Sequence, residues 1–142
     1  AIITALEQQD EEKIKALFSE RALSEADDFA DGCRYLFELY HGEKCSAERI
    51  RFSSDTSYDS GRHSREIDAE FEVATDEEHY FLYINWWQSD TLQPANQGLY
   101  SLKMVTLDTR NQTSDFDPGS RSKRAGIYHP DWADTLSGKA II

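Results

Sequence analysis

The segment YFLYINWW, residues Tyr80–Trp87, decides the fold because it places five aromatic residues among eight. Its length and composition predict a β-strand, in which successive side chains point to opposite faces of a sheet. One set is predicted to point inward to a core: Leu82, Ile84 and Trp86. The other set is predicted to point to the outer face: Phe81, Tyr83 and Trp87. Both faces of this strand are therefore predicted to pack against other residues of the chain or against a partner.

The outer set predicts an interface. Contiguous exposed rings on one sheet face are typical of a contact surface, so we expect a cover over Phe81, Tyr83 and Trp87. The C-terminal tail with Tyr128 and Trp132 is one cover, a second copy of the chain is another, and a foreign protein is a third. The tail and the homodimer are favoured, because neither requires an additional partner.

The chain ahead of this strand has helical patterns. Asp10 is predicted to cap a helix in which apolar residues recur at helical spacing from Ile14. Ser24 and Asp27 have the form of a capping box that starts a second helix of about five turns, which ends at Gly42. The apolar stripe of this second helix consists of Phe29, Cys33, Leu36, Phe37 and Tyr40.

After Gly42 apolar residues alternate with polar ones, which predicts half-exposed antiparallel strands. Two such strands precede the aromatic strand, and a last strand, LYSLKMVTL, follows a polar loop at residues 89–98. Helices followed by strands indicate an α+β fold in which N-terminal helices pack on a curved four-stranded antiparallel sheet. The sheet side of the predicted core is Ile50, Phe52, Ile67, Phe71, Val73, Leu82, Ile84, Trp86, Leu102 and Met104.

One domain is predicted to span residues 1–110, with residues 111–142 as a tail. The tail begins with a polar stretch rich in turn formers. Its later residues Ile127, Tyr128 and Trp132 would be poorly placed in water. We therefore expect the tail to dock on the same domain.

Composition limits the partners. Twenty-seven acidic residues against fifteen basic ones give a formal net charge of -12, which would repel a nucleic-acid backbone. No apolar run approaches the ~20 residues that cross a bilayer, so no membrane span is predicted. Free thiols are favoured for Cys33 and Cys45, because helix geometry separates the two positions and nothing else marks a disulfide framework.

The stretch ALEQQDEEKIKALFS, residues 5–19, resembles the start of the NTF2-like (cystatin-like) superfamily, where a D-x-x-x-I-x-x-L-F pattern leads to a long second helix. The stretches ATDEEHYFLYINWWQSD and GLYSLKM resemble the strand pair of a family of Gram-positive bacterial secreted proteins and lipoproteins with this fold. The resemblance covers about residues 1–108. It implies an NTF2-like roll in a bacterial protein that is secreted or lipid-anchored. The start at Ala1, without a methionine, agrees with a leader ahead of it, although a cytoplasmic location stays open.

No residue emerges as catalytic. Enzymes with the NTF2-like fold place Asp, Glu or His inside the cone, whereas Asp68 shares the outer face with Glu70, and His63 lies in a predicted connection. The other candidates are also predicted to have exposed structural roles: His41, Asp76, His79 and His129.

No metal site and no cofactor are predicted. His41, Glu43 and Cys45 share one loop but lack the spacing of a zinc motif. The DFDPGS segment at Asp115 lacks the third ligand position and the terminal Glu of a calcium loop. The NQT triplet at Asn111 has the form of a glycosylation acceptor, which has meaning only in a eukaryotic secretory setting.

The resemblance and the inward rings favour a non-catalytic extracytoplasmic binding module that holds a small molecule or peptide in the cone of the fold. The residues predicted to line that pocket are Trp86, Tyr80, Tyr58 and Tyr100. The competing explanation is that these rings only fill the core. Two other functions stay open: an acidic immunity-type protein that inhibits a basic toxin, and an NTF2-like hydrolase or isomerase.

Overall fold

The computed structural model describes residues 1–112 and 124–129. Helices come first in the chain and strands follow. The elements are α1 (Ile2–Gln8), α2 (Glu11–Leu17), α3 (Glu20–Glu25), α4 (Phe29–Leu39), β1 (Lys44–Asp59), β2 (Arg62–Thr75), β3 (His79–Asp90), a 3₁₀ turn (Pro94–Asn96), β4 (Gly98–Thr106), α5 (Leu107–Gln112) and β5 (Gly126–Ile127).

The strands form one sheet in the order β1-β2-β3-β4-β5. Strands β1 to β4 are antiparallel, while β5 pairs parallel to β4 with Leu102 opposite Ile127. The predicted α+β class with N-terminal helices is confirmed. The sheet has one strand more than predicted. The sequence pattern did not indicate β5, because this strand is only two residues long and shows no alternation.

Side chains cap α2, α3 and α4, although not all of them where the sequence predicts. Asp10 accepts a hydrogen bond from the Lys13 amide at 3.1 Å, so its predicted role is confirmed. The predicted long second helix is wrong, because residues 20–39 form two helices with a break between them. Asp28, and not Ser24 with Asp27, caps α4, which is 11 residues long.

The helices pack over the inner face of β3 and β4. The fully buried side chains of this core include Leu6, Ile14, Leu36, Tyr80, Leu102 and Met104. Most of the predicted core is buried or half-buried there, including Cys33, Val73 and Leu82. Both cysteines are free, with Cys33 buried and Cys45 exposed, as predicted.

Three residues of the predicted core are exposed instead. Ile50, Phe52 and Trp86 have 41%, 42% and 37% of their surface in solvent. All 16 residues of β1 are exposed, because β1 is an edge strand and the described helices contact mainly β3, β4 and β5. Period-two alternation assigns a side chain to a face, but it does not show whether a helix reaches that face.

A tight hairpin joins β1 and β2. Ser60 and Gly61 both have positive φ, 49° and 85°, which is the geometry of a two-residue type I′ turn. This turn moves His63 from a predicted connection into β2, opposite Tyr58. Within the described residues, the helices are all too short or too polar to cross a membrane.

Candidate functional site

The helices of the described part leave some of the inner face of the sheet uncovered. Phe52 lies opposite Ala69, and Trp86 lies opposite Ile67, so these side chains share the face that also carries the core residue Leu82. We call Phe52, Ile67 and Trp86, with Arg49 and Arg65, the open inner face.

The open inner face has a sheltered floor between two half-open rings. Ile67 is only 4% exposed although it lies outside the helix-covered core, whereas Phe52 and Trp86 are 42% and 37% exposed. Phe52 stands diagonally across from Ile67, a relation in which large side chains still reach each other. An apolar floor flanked by accessible rings is a surface on which an apolar group of a ligand can be buried.

Two arginines flank this apolar surface. Arg49 lies opposite Phe71, and its Cζ atom is 4.6 Å from the centre of the Phe52 ring. Arg65 lies opposite Thr56, one inward position beyond Ile67. The Arg65 Nε atom is buried, and no described residue accepts a hydrogen bond from it. Neither arginine forms an ion pair with a described residue, so no described residue compensates either charge.

The acidic residues of the same strands point the other way. Glu72 pairs with Glu48 and Glu66 pairs with Asp55 on the outer face. The carboxylates of the outer face of β1 and β2 are Glu48, Asp55, Glu66, Asp68, Glu70 and Glu72. In strands β1 to β4 no carboxylate falls on the inner face by register. The carboxylates of these strands therefore lie on the outer face, where Arg51 also lies, whereas Arg49 and Arg65 lie on the inner face.

The structure does not bring the four predicted pocket residues together. Only Trp86 lies on the open inner face. Tyr80 is completely buried, and its hydroxyl accepts from the His41 amide at 2.8 Å and donates to the Leu39 carbonyl at 2.7 Å. Burial raises the pKa of Tyr80. Tyr80 therefore lies apart from the open inner face, because its ring fills the core at the opposite end of β3.

The other two tyrosines lie at the margins. Tyr58 is 78% exposed and stacks on His63 near the hairpin turn, with ring centres 4.5 Å apart. The Tyr100 hydroxyl donates to Glu25 at 2.8 Å, and Arg21 lies over its ring, so Tyr100 packs on α3. Neither ring lies beside Trp86 in the strand register.

The predicted interface residues have a cover within the chain. Phe81 and Tyr83 are 3% and 4% exposed, because α5 turns back over the outer face directly after β4. Leu107 packs on them, and Arg110 donates to the Tyr83 hydroxyl at 3.1 Å. Trp87 is half-buried. The helix α5 was not predicted from the sequence, because its six residues show no apolar repeat.

The proposed tail residues lie elsewhere or outside the described part. Tyr128 sits beside Tyr35 of α4 and under the Lys103 ammonium, which is 4.4 Å from its ring. Trp132 and Asp115 lie outside the described residues. Asn111 falls within α5.

The environment of Asp90 indicates a structural role. Asp90 is fully buried, accepts from Arg62 and from Asn96, and so ties the end of β3 to the 3₁₀ turn. The Arg62 guanidinium holds the pKa of Asp90 far below its usual range. The side chain has no free acceptor directed to a ligand, so we assign it to the scaffold.

The histidines do not assemble a metal site. His79 bonds to Glu72 on the outer face and stacks on Phe81. In residues 1–112 and 124–129, no three His, Cys, Asp or Glu side chains are grouped so that they could hold a metal ion.

Alternation with Ile50 and Phe52 predicts an outward Arg49, but the register shift between Arg49 and Arg51 places Arg49 on the inner face. Sequence reasoning missed Arg65. A signal was available, because Arg65 is two residues before the inward Ile67 and therefore shares its face. Phe52 was found, but as a core residue.

A family model described as a domain of unknown function (DUF5104) matches residues 1–107. This stretch contains α1 to α4 and β1 to β4, and with them the whole open inner face. No curated protein matches the chain.

Proposed function

Since the chain belongs to the family of domains of unknown function DUF5104, we propose from its geometry that it is a non-catalytic binding module of the NTF2-like type. Its ligand, a small molecule or a peptide, would lie on the open inner face. The resemblance to secreted proteins and lipoproteins supports a place of action outside the cytoplasm.

One observation carries this proposal. Phe52 and Trp86 are 42% and 37% exposed on the same sheet face, next to the buried Ile67. Single exposed apolar residues are ordinary on a protein surface, but rings grouped around an apolar floor are typical of contact sites. The arrangement of helices before an antiparallel sheet is compatible with an NTF2-like roll, in which this face would be the mouth of the cone.

A catalytic function has less support. An acid–base enzyme needs a carboxylate or histidine beside its substrate. The inner face of β1 to β4 offers His63 within the described residues, and this ring is stacked on Tyr58.

Fragment screening by NMR tests the proposal. A library of small aromatic and aliphatic compounds is added to the labelled protein, and the indole N–H signals of the tryptophans are followed. We expect hits that shift the Trp86 indole signal and the amides of Ile67 and Phe52. The signal is assigned with a Trp86→Phe variant.

Binding should depend on the rings of the open inner face. Trp86→Ala should weaken the hits at least about tenfold, because an aromatic side chain supplies about 1.5–3 kcal/mol of burial. Leu92→Ala is the matched control, since Leu92 is 61% exposed and lies in the loop after β3. A screen whose hits map away from Trp86, or are equally weakened by both variants, would reject the proposal.

A further inference from the structure

The two arginines of the open inner face determine which ligands it accepts. This inference rests on the proposed function and names the chemical class of the ligand. Their side chains are on the same face as Phe52, Ile67 and Trp86, so any molecule that covers these apolar groups also comes near a cation.

Arg65 is the stronger anchor. It is half-buried, and it forms no ion pair with another described residue. Its Nε–H is buried without an acceptor. A buried donor without a partner costs folding free energy, and a partly buried charge without a counter-ion costs more. An anion placed against this guanidinium would supply both missing interactions.

Arg49 is a second and weaker anchor. Its guanidinium already lies over the Phe52 ring, 4.6 Å from the ring centre. A cation held on an aromatic face keeps its edge N–H donors available to an acceptor. The acidic side chains of β1 and β2 are directed to the outer face, so none of them competes for either arginine across the inner face.

We propose that the open inner face binds small amphipathic anions. The ligand carries a carboxylate or sulfonate, which pairs with Arg65, and an aromatic or aliphatic body, which covers Ile67 between Phe52 and Trp86. Charge-assisted hydrogen bonds from arginine to such groups are about twice as strong as neutral ones, and the pairing is often bidentate. A neutral molecule with the same body would bind through the apolar surface alone.

Two fluorescent probes separate the anionic and apolar contributions. Anilinonaphthalene sulfonate and phenyl-naphthylamine share one ring system, and only the first carries a sulfonate. Both are titrated into the full chain as wild type and as Arg65→Met, Arg65→Lys, Trp86→Ala and Arg34→Met. Arg34 is an exposed residue of α4, so its variant removes the same charge far from the open inner face.

We expect Arg65→Met to weaken the sulfonate probe at least about fivefold, as the loss of a hydrogen bond to a charged group predicts. The neutral probe should change less than about twofold, Arg65→Lys should restore part of the sulfonate affinity, and Arg34→Met should change neither probe. Trp86→Ala should weaken both probes. Thermal unfolding of each variant confirms that it is folded.

A wrong anion inference and a wrong proposed function would give different results in this experiment. If Trp86→Ala weakens both probes but Arg65→Met affects them equally or not at all, the anion inference is wrong and the proposed function stands. If neither probe depends on Trp86, the proposed function is wrong, and the anion inference is overturned with it.

Discussion

Tyr40 and Tyr80 stack in the core with ring centres 5.3 Å apart, yet only the Tyr80 hydroxyl has hydrogen-bond partners. The Tyr40 hydroxyl is buried and is paired with no described residue. The two stacked rings thus differ in whether their hydroxyl groups are hydrogen-bonded.

The pair predicts opposite effects of the same substitution. Tyr80→Phe leaves the His41 amide and the Leu39 carbonyl without their partner, so it should lower the free energy of unfolding by about 2 kcal/mol. Tyr40→Phe removes an unpaired hydroxyl and should be neutral or stabilising. Urea denaturation of both variants measures the difference. Equal losses would show that the hydrogen bonds of the Tyr80 hydroxyl contribute no more to stability than the unpaired Tyr40 hydroxyl does.

The outer face predicts a second effect. Glu70 is only 4% exposed and bonds to Arg110 at 3.0 Å, with Arg51 at 3.4 Å on its other side. Arg110→Met keeps a long apolar side chain but removes one counter-ion of Glu70, together with the hydrogen bond to Tyr83 and the guanidinium over the Phe81 ring. We expect a loss of about 2 kcal/mol, below the ~3–5 kcal/mol for a buried pair that loses its only partner, because Arg51 remains and Arg110 is partly solvated.

The control for Arg110→Met is Arg34→Met. Arg34 pairs with Asp31 at 3.0 Å, but the two side chains are 68% and 39% exposed, so its loss should change stability by less than about 0.5 kcal/mol. Chemical denaturation of the two variants under the same salt gives the comparison. Similar small changes for both would contradict a structural role for the Glu70 pair.

Arg65→Met should raise stability in the absence of ligand. The methionine keeps most of the apolar stem and removes the buried Nε–H that lacks an acceptor. We expect a gain of about 1 kcal/mol, which thermal or urea unfolding measures. A clear loss of stability would mean that the guanidinium stabilises the fold, and the anion-binding role of Arg65 would then lose its energetic support.

The lowered pKa of Asp90 predicts that the stability of the fold depends on pH. Hydrogen bonds from Arg62 and Asn96 lower the pKa of Asp90 in the folded state. A lowered folded pKa gives stability that is fully present above the unfolded-state pKa, about 3.9, and is lost as the pH falls toward the folded value. Asp90→Asn should therefore be less stable than wild type from pH 7 to about pH 5, and the difference should shrink below about pH 4. A difference that is constant over this range would contradict the assigned cause.

Alternation predicted the faces of β2 and β3 correctly. Ile67, Val73 and Leu82 are buried on the inner face, and Phe81 and Tyr83 lie on the outer face. These assignments depend only on the two-residue period of a strand, which is a local property.

The errors concern what covers each face. Phe52 and Trp86 face inward as predicted, but none of the described helices covers them. Whether a helix covers a face depends on helix length and on tertiary arrangement. The α4 helix is shorter than predicted because Asp28 caps it later than the capping-box pattern suggested. The helix α5, which covers Phe81, follows β4 without a turn signal. Tertiary arrangements of this kind leave little trace in a local pattern.

The exposure of β1 along its whole length also has a dynamic consequence. A strand that buries little apolar surface can detach from its neighbour at a lower free energy than the core unfolds, so β1 should open while the helices and β3–β4 remain intact. Its amide hydrogens would then exchange with solvent faster than those of β3. Because the open inner face takes Phe52 from β1 and Trp86 from β3, a bound ligand would bridge the mobile and the rigid part, and the order that it imposes on β1 would reduce its affinity.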